Sequence, residues 1–166
     1  MNAKGYLVAG AAAAAIAIVS LFTYRYEIRP AADICRACQR GLHAGMTYRL
    51  EMANGTWEEA CCPRCGIHYA LNHPGAVRQM WATDLTSGAR ILARSAYYVE
   101  GGDVEYCAPQ KGSVAREPQG VSVLTYDRCL PTLVAFRTEE AAQAYRRQHG
   151  GRVLAYDQAL HEVRTQ

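Results

Sequence analysis

At 166 residues, half of them hydrophobic, the chain is long enough for one domain or two small ones and can fill a core. Eighteen Lys and Arg against 15 Asp and Glu leave a net charge of +3, with the basic residues scattered along the chain, so no nucleic-acid partner is expected. A Ser-His-Asp arrangement, a phosphate loop and a His-Glu-x-x-His helix are all missing from the sequence, which therefore does not read as an enzyme.

Residues 5 to 22, GYLVAGAAAAAIAIVSLF, carry no charge. At about 1.5 Å per helical residue such a run just reaches across a hydrocarbon core of about 30 Å. The apolar run continues into Ser20-Leu21-Phe22-Thr23-Tyr24 without an Ala-x-Ala-like cleavage site, so an uncleaved single-pass membrane anchor is expected over 1–26. Tyr24 and Tyr26 suit a membrane interface. A short N-terminal tail before a first span sends the bulk of the chain across, giving an extracytoplasmic, periplasmic location. The charged stretch with Pro30 reads as a linker over 27–34.

The strongest chemical signal follows. Five of the seven cysteines lie between Cys35 and Cys65, in CRAC and CCPRC. Two cysteines separated by two residues let both sulfurs reach one tetrahedral ion at about 2.3 Å. Asn54-Gly55, between runs rich in Tyr, Leu, Met and Trp, predicts a hairpin. Pro63 suits the first turn of a helix that Asn72-His73-Pro74-Gly75 would stop. Knuckle, hairpin and a helix opening on the second Cys pair make a treble-clef-like zinc module over 35–76, with Cys35, Cys38, Cys62 and Cys65 as ligands. Cys61 is the spare that can replace Cys62, because alternation cannot decide between neighbours. His68, three residues after Cys65, is a further candidate ligand.

From Val77 the pattern turns strand-like. Runs on either side of Ser87-Gly88 predict a second hairpin extending to Gly101-Gly102, then come a loop with Cys107, a short strand over 121–126, and a strand at Leu133-Val134-Ala135-Phe136. Thr138 with Glu139 and Glu140 marks a helix start, and His149-Gly150-Gly151 its stop. A strand over 152–156 and a short helix over 157–163 complete a small α+β layer.

The segments WATDL, ARSAYYVEGG, LVAF, TEEAAQAYRRQHGG and RVLAYDQAL, from Trp81 to Leu160, resemble the NosL family of nitrous oxide reductase accessory proteins. The upstream Cys-x-x-Cys resembles the start of that family as well. The resemblance implies an extracytoplasmic, membrane-attached protein that binds copper(I) and hands it to a cuproenzyme. It also implies a fold of paired ββαβ units, related to treble-clef metal-sensing modules and to part of the organomercurial lyases. Where the family commonly carries Met-Gly ahead of the Ala-Phe strand, this chain has Arg128-Cys129-Leu130-Pro131, and its lipobox is replaced by a longer apolar span. The expected fold class is thus α+β: an N-terminal transmembrane helix, the treble-clef-like zinc module, and a small ββαβ-type NosL-like domain over 77–163.

Two sites come out of this reading. The four-cysteine cluster fits structural zinc, a soft metal such as copper(I) held for transfer, or paired disulfides. Cys107 and Cys129, 22 residues apart, fit a disulfide or a two-coordinate thiolate site for copper(I) or mercury with Asp127 or Met80 nearby. Copper(I) delivery to a recipient cuproenzyme is the expected function. The alternatives are a zinc-stabilised scaffold with a structural disulfide, and a thiol oxidoreductase using Cys62-Pro63-Arg64-Cys65.

Overall fold

The structure is a computed structural model that describes residues 3–27, 33–104, 106, 114–117, 120–123 and 129–165, with side chains described at 10–23, 33–104, 106 and 129–165. The chain forms two compact units, Met1–Ala32 and Asp33–Gln166.

The first unit is one helix, α1 (Ala3–Glu27). The transmembrane helix expected there must be corrected. Among the described residues no helix is long and apolar enough to cross a membrane. A span needs about 20 predominantly apolar residues. The described side chains of α1 cover 10–23, and half of those positions are Gly or Ala, which offer little apolar surface.

The second unit begins with a loop and then β1 (Tyr48–Met52) and β2 (Trp57–Ala60). Asn54-Gly55 makes the turn as its sequence predicts: Gly55 has φ +80° and the Asn54 side chain accepts from the Thr56 N–H at 3.0 Å. Helix α2 (Pro63–Asn72) opens on Pro63 and ends at His73. Strand β3 (Val77–Thr83) then returns to pair with β1, not with a new partner, and β4 (Arg90–Leu92) pairs with β3. The first sheet is therefore ordered β2-β1-β3-β4 and wholly antiparallel.

A 3-10 turn at Ala93–Ser95 redirects the chain into β5 (Tyr97–Glu100), which leaves the first sheet altogether. The expected hairpin over 77–104 is thus split: its first half closes around Ser87-Gly88, and its second half founds another sheet. A short hairpin of β6 (Val114–Glu117) and β7 (Gly120–Val123) follows, where the sequence predicts one strand over 121–126. Strand β8 (Leu133–Phe136), helix α3 (Glu139–His149), strand β9 (Arg152–Ala155) and helix α4 (Tyr156–Thr165) complete the chain. The helix signals hold: the Thr138 side chain accepts from the Ala141 N–H, and Gly150 at φ +75° ends α3.

The second sheet is ordered β8-β5-β9, again antiparallel. Two units with one topology result. In β1-β2-α2-β3 and in β5-β8-α3-β9 the first strand sits at the centre, flanked by the second and by the strand that follows the helix. Because β3 pairs with β1, the cysteine-bearing segment and the strand after residue 76 share one sheet. Asp84, buried at the end of β3, ties the two sheets together: it bridges Ala135 and accepts from the Arg137 N–H at 3.1 Å, and Leu85 N–H donates to Ala135 O at 2.9 Å. Tyr48, Leu50, Ile67, Tyr98, Val99, Leu133 and Val134 are the largest fully buried apolar side chains of the shared core.

Candidate metal centre

Three segments far apart in sequence bring their cysteines together. The first is a loop pinched shut by the bridge between Ile34 and Gly41 and by Cys35 N–H donating to Arg40 O at 2.8 Å. Gln39, at φ 60°, takes the left-handed conformation that turns this loop, and its N–H donates to Cys35 O at 3.0 Å. Cys35 and Cys38 sit on that knuckle. It is fastened to β2 by Arg36 N–H donating to Glu59 O at 3.1 Å and by the Arg36–Glu58 ion pair at 2.8 Å.

The second segment is the junction of β2 and α2. Cys61 and Cys62 follow the strand directly, and Cys62 is the N-cap of α2, its sulfur accepting from Cys65 N–H at 3.5 Å. Cys65 occupies the first turn. A helix N-terminus with exposed N–H groups favours thiolates over thiols, so the end of α2 suits a cluster of anionic sulfurs.

The third segment is Cys129, just before β8. It is held against α2 by Arg64, whose side chain is 3% exposed. The Arg64 Nε–H donates to Pro131 O at 2.7 Å, and its guanidinium pairs with Glu100 at 2.5 Å. Glu100 also receives Arg152 at 2.5 Å, so its buried carboxylate is paired on both oxygens. The residue between Pro63 and Cys65 thereby carries the loop of Cys129 to the mouth of the helix.

The sulfurs converge. Cys38 and Cys61 are 3.6 Å apart, Cys61 and Cys62 3.8 Å, Cys61 and Cys129 3.8 Å, and Cys65 and Cys129 3.4 Å. Two groups of four form, Cys35-Cys38-Cys61-Cys65 and Cys61-Cys62-Cys65-Cys129, with the sulfurs in each within 4.8 Å of one another. Among the described residues no two cysteines are joined by a disulfide. Cys35, Cys61, Cys62, Cys65 and Cys129 are each at most 1% exposed, whereas Cys38 is only half-buried. The donor set fits a soft, tetrahedral ion: metal–sulfur bonds of about 2.3 Å make a tetrahedron with edges of about 3.8 Å.

Crowding separates the thiols electrostatically. At Cys38 the neighbouring Cys129 raises the pKa, yet hydrogen bonds from Cys35, Cys61 and Cys65 outweigh it and hold the group well below the ordinary thiol value. Cys35 is pushed up by Cys38 but brought down by Cys61 and Cys65, to about 6. Cys65 is pushed up, first by Cys129, then by Cys35 and Cys38. The two knuckle thiols, Cys35 and Cys38, are thus held low, and Cys65 is held high.

The sequence-predicted residues distribute unevenly over this geometry. Cys35, Cys38 and Cys65 share one group, but its fourth member is Cys61, and Cys62 belongs to the other group. Cys129 joins the same cluster and not a second site. Cys107 and Asp127 lie outside the described residues. His68 exchanges a hydrogen bond with Asn72 at 3.2 Å, and the groups that converge contain cysteines alone. Met80 lies on β3 beside Ala70, His73 and Arg94. His149 ends α3 against Asp103 at 3.0 Å. Arg64 and Glu100 are the positioning residues that sequence reasoning missed. An Arg inside a buried Cys-x-x-Cys motif is the available signal, because a guanidinium there must find acceptors.

This fold has been seen in a copper-handling protein. The chain is similar to the crystal structure of the copper chaperone NosL from Shewanella denitrificans, with a TM-score of 0.52 and 20% identity, covering 75% of this chain and 87% of that one. It has the NosL fold. At that identity the likeness concerns the fold, and the cysteine cluster is what speaks for metal binding in this chain. The sequence is also 21% identical over 131 residues to the HTH-type transcriptional repressor CutR of Bacillus subtilis (strain 168), a match to 78% of this chain. The chain spans 58% of the length of that relative. No protein-family model matches the chain.

Proposed function

We propose that this protein binds copper(I) at the thiol cluster and delivers it to a recipient metalloprotein. The observation that carries the reading is the convergence of six cysteine sulfurs at the N-terminus of α2, on a fold shared with a copper chaperone. Thiolates are soft donors that suit copper(I) as well as zinc. Transfer between thiolate sites proceeds by ligand exchange, which needs one sulfur that an incoming ligand can reach. Cys38 supplies it: it is the half-buried member, the thiol held low, and it stands on a loop and not in the core.

Burial favours a second reading. Five of the six cysteines are at most 1% exposed, as in a closed structural zinc site that stabilises a scaffold. One experiment separates the two. The full chain is loaded anaerobically with copper(I) and with zinc, and the rate at which each metal passes to a thiol-rich acceptor is followed. Delivery predicts copper(I) transfer much faster than zinc loss, slowed at least tenfold in Cys38→Ser. Failure to take up copper(I) in the presence of zinc would leave the scaffold reading standing.

A further inference from the structure

We infer that the six thiols form a binuclear site, in which two divalent d10 ions of the zinc class are each bound by four sulfurs and share Cys61 and Cys65 as bridges. The inference rests on the reading of the cluster as a metal site and deepens it, adding the number of ions and the role of each sulfur.

The two groups of four are not alternatives drawn from scattered thiols. They have two members in common, Cys61 and Cys65, and each adds two of its own: Cys35 and Cys38 on the knuckle side, Cys62 and Cys129 on the side of β8. Two tetrahedra joined along one edge need six vertices, two shared and two private to each. The six sulfurs divide into groups of that composition.

The spacing agrees. An edge of a tetrahedron with metal–sulfur bonds of about 2.3 Å is about 3.8 Å long. The separations of 3.6, 3.8, 3.8 and 3.4 Å lie near that length, and they occur in both groups: Cys38–Cys61 in the first, Cys61–Cys62, Cys61–Cys129 and Cys65–Cys129 in the second. Cys61 has a neighbour at such a distance on each side, as a bridging sulfur must.

Charge favours filling both halves. One divalent ion on four thiolates carries a net charge of −2 and leaves two thiols protonated beside it. A second divalent ion displaces the protons of those two thiols, two positive charges leaving as two arrive, so the net charge stays at −2. The second ion therefore adds no buried charge, and it gives every sulfur in a buried cluster a bond. No oxidation or reduction accompanies the exchange.

The test uses the full chain under reducing conditions with 113Cd(II) as the probe, read by native mass spectrometry and by 113Cd NMR. Saturation at two cadmium ions per chain, with two resonances that show scalar coupling to each other through the shared sulfurs, is the expected result. Cys35→Ser/Cys38→Ser and Cys62→Ser/Cys129→Ser are each expected to hold one ion, and Cys107→Ser two. Saturation at one ion, or two uncoupled resonances, would overturn the inference; both measurements are made on the unaltered protein, so a variant that fails to fold does not affect them. Copper(I) uptake measured in parallel keeps the two readings apart. A chain that binds copper(I) but only one cadmium loses the binuclear site and keeps the proposed function, and a chain that binds neither loses both.

Discussion

Gly66 follows Cys65 directly because nothing larger fits there. A Cβ at Gly66 would lie 2.1 Å from Cδ1 of Tyr48, a fully buried ring on the central strand of the first sheet. The ring packs against the first turn of α2 and so fixes how far the helix, and the two cysteines on it, stand from the sheet. Gly66→Ala is expected to cost at least about 2 kcal/mol, since the overlap involves a packed ring and not a flexible chain end. Urea unfolding would show it as a lower midpoint at unchanged slope. At Cys38 the expectation concerns reactivity. Its pKa is lowered, and a lowered pKa keeps the thiolate present as pH falls, whereas an ordinary thiol near 8.5 retains only a few per cent thiolate at pH 7. In the metal-free protein, iodoacetamide should therefore modify Cys38 first and at nearly the same rate at pH 7 as at pH 9. Peptide mapping that found Cys38 no faster than an ordinary thiol would contradict this. Residue-level chemistry also marks where the sequence stops being informative. Ala60, Cys61 and Cys62 are all buried, because the strand ends at Ala60 and the chain then turns into a helix, so alternation no longer separates neighbours. Cys61, which reads as the spare, becomes one of the two sulfurs common to both groups.

The elements themselves follow closely from local signals, and their partnerships do not. Asn54-Gly55, Pro63, Thr138 and Gly150 act within a few residues of themselves, and the hairpin and two helices form where those residues say. Sheet membership is set by contacts between distant segments. The runs over β3 and β5 have the same two-residue period, and nothing in that period states that β3 will pair with β1 while β5 starts a new sheet. Cys129 is a case of the same kind: 64 positions separate it from Cys65, and what joins them is Arg64, reaching Pro131 from one side and Glu100 from the other. Arg64→Met tests that link. It leaves Glu100 with Arg152 alone and Pro131 O without its donor, an effect on the order of 3 kcal/mol for a broken buried pair. It should also loosen Cys129 from the helix, so that alkylation of Cys129 in the folded, metal-free protein rises well above that of the parent. Stability lost with no change at Cys129 would mean that the loop is held by other contacts.

Across the whole molecule, the cluster is a crosslink between segments far apart in the sequence. The knuckle at 35–38, the turn into α2 at 61–65 and the residue ahead of β8 at 129 belong to both ββαβ units, so an ion held there ties one unit to the other. The unfolded chain cannot present these sulfurs together, and binding energy at the cluster becomes folding energy. A metal present at 100 times its dissociation constant stabilises the folded state by about 2.7 kcal/mol, which for a domain of this size raises Tm by about 10 °C. Loaded protein should therefore melt well above chelator-treated protein in differential scanning calorimetry at pH 7.5. The sign of the pH effect follows from proton competition. Each ligand must be a thiolate, so lowering the pH returns protons to the sulfurs, weakens binding and lets the two melting curves approach each other, and raising it separates them. The metal-dependent part of Tm should vanish first as acid is added, ahead of any change in the chelator-treated protein. Equal melting temperatures at pH 7.5, with metal confirmed as bound, would show that the three segments are already locked together without it, and the cluster would then be cargo space on a finished fold and not part of what holds it.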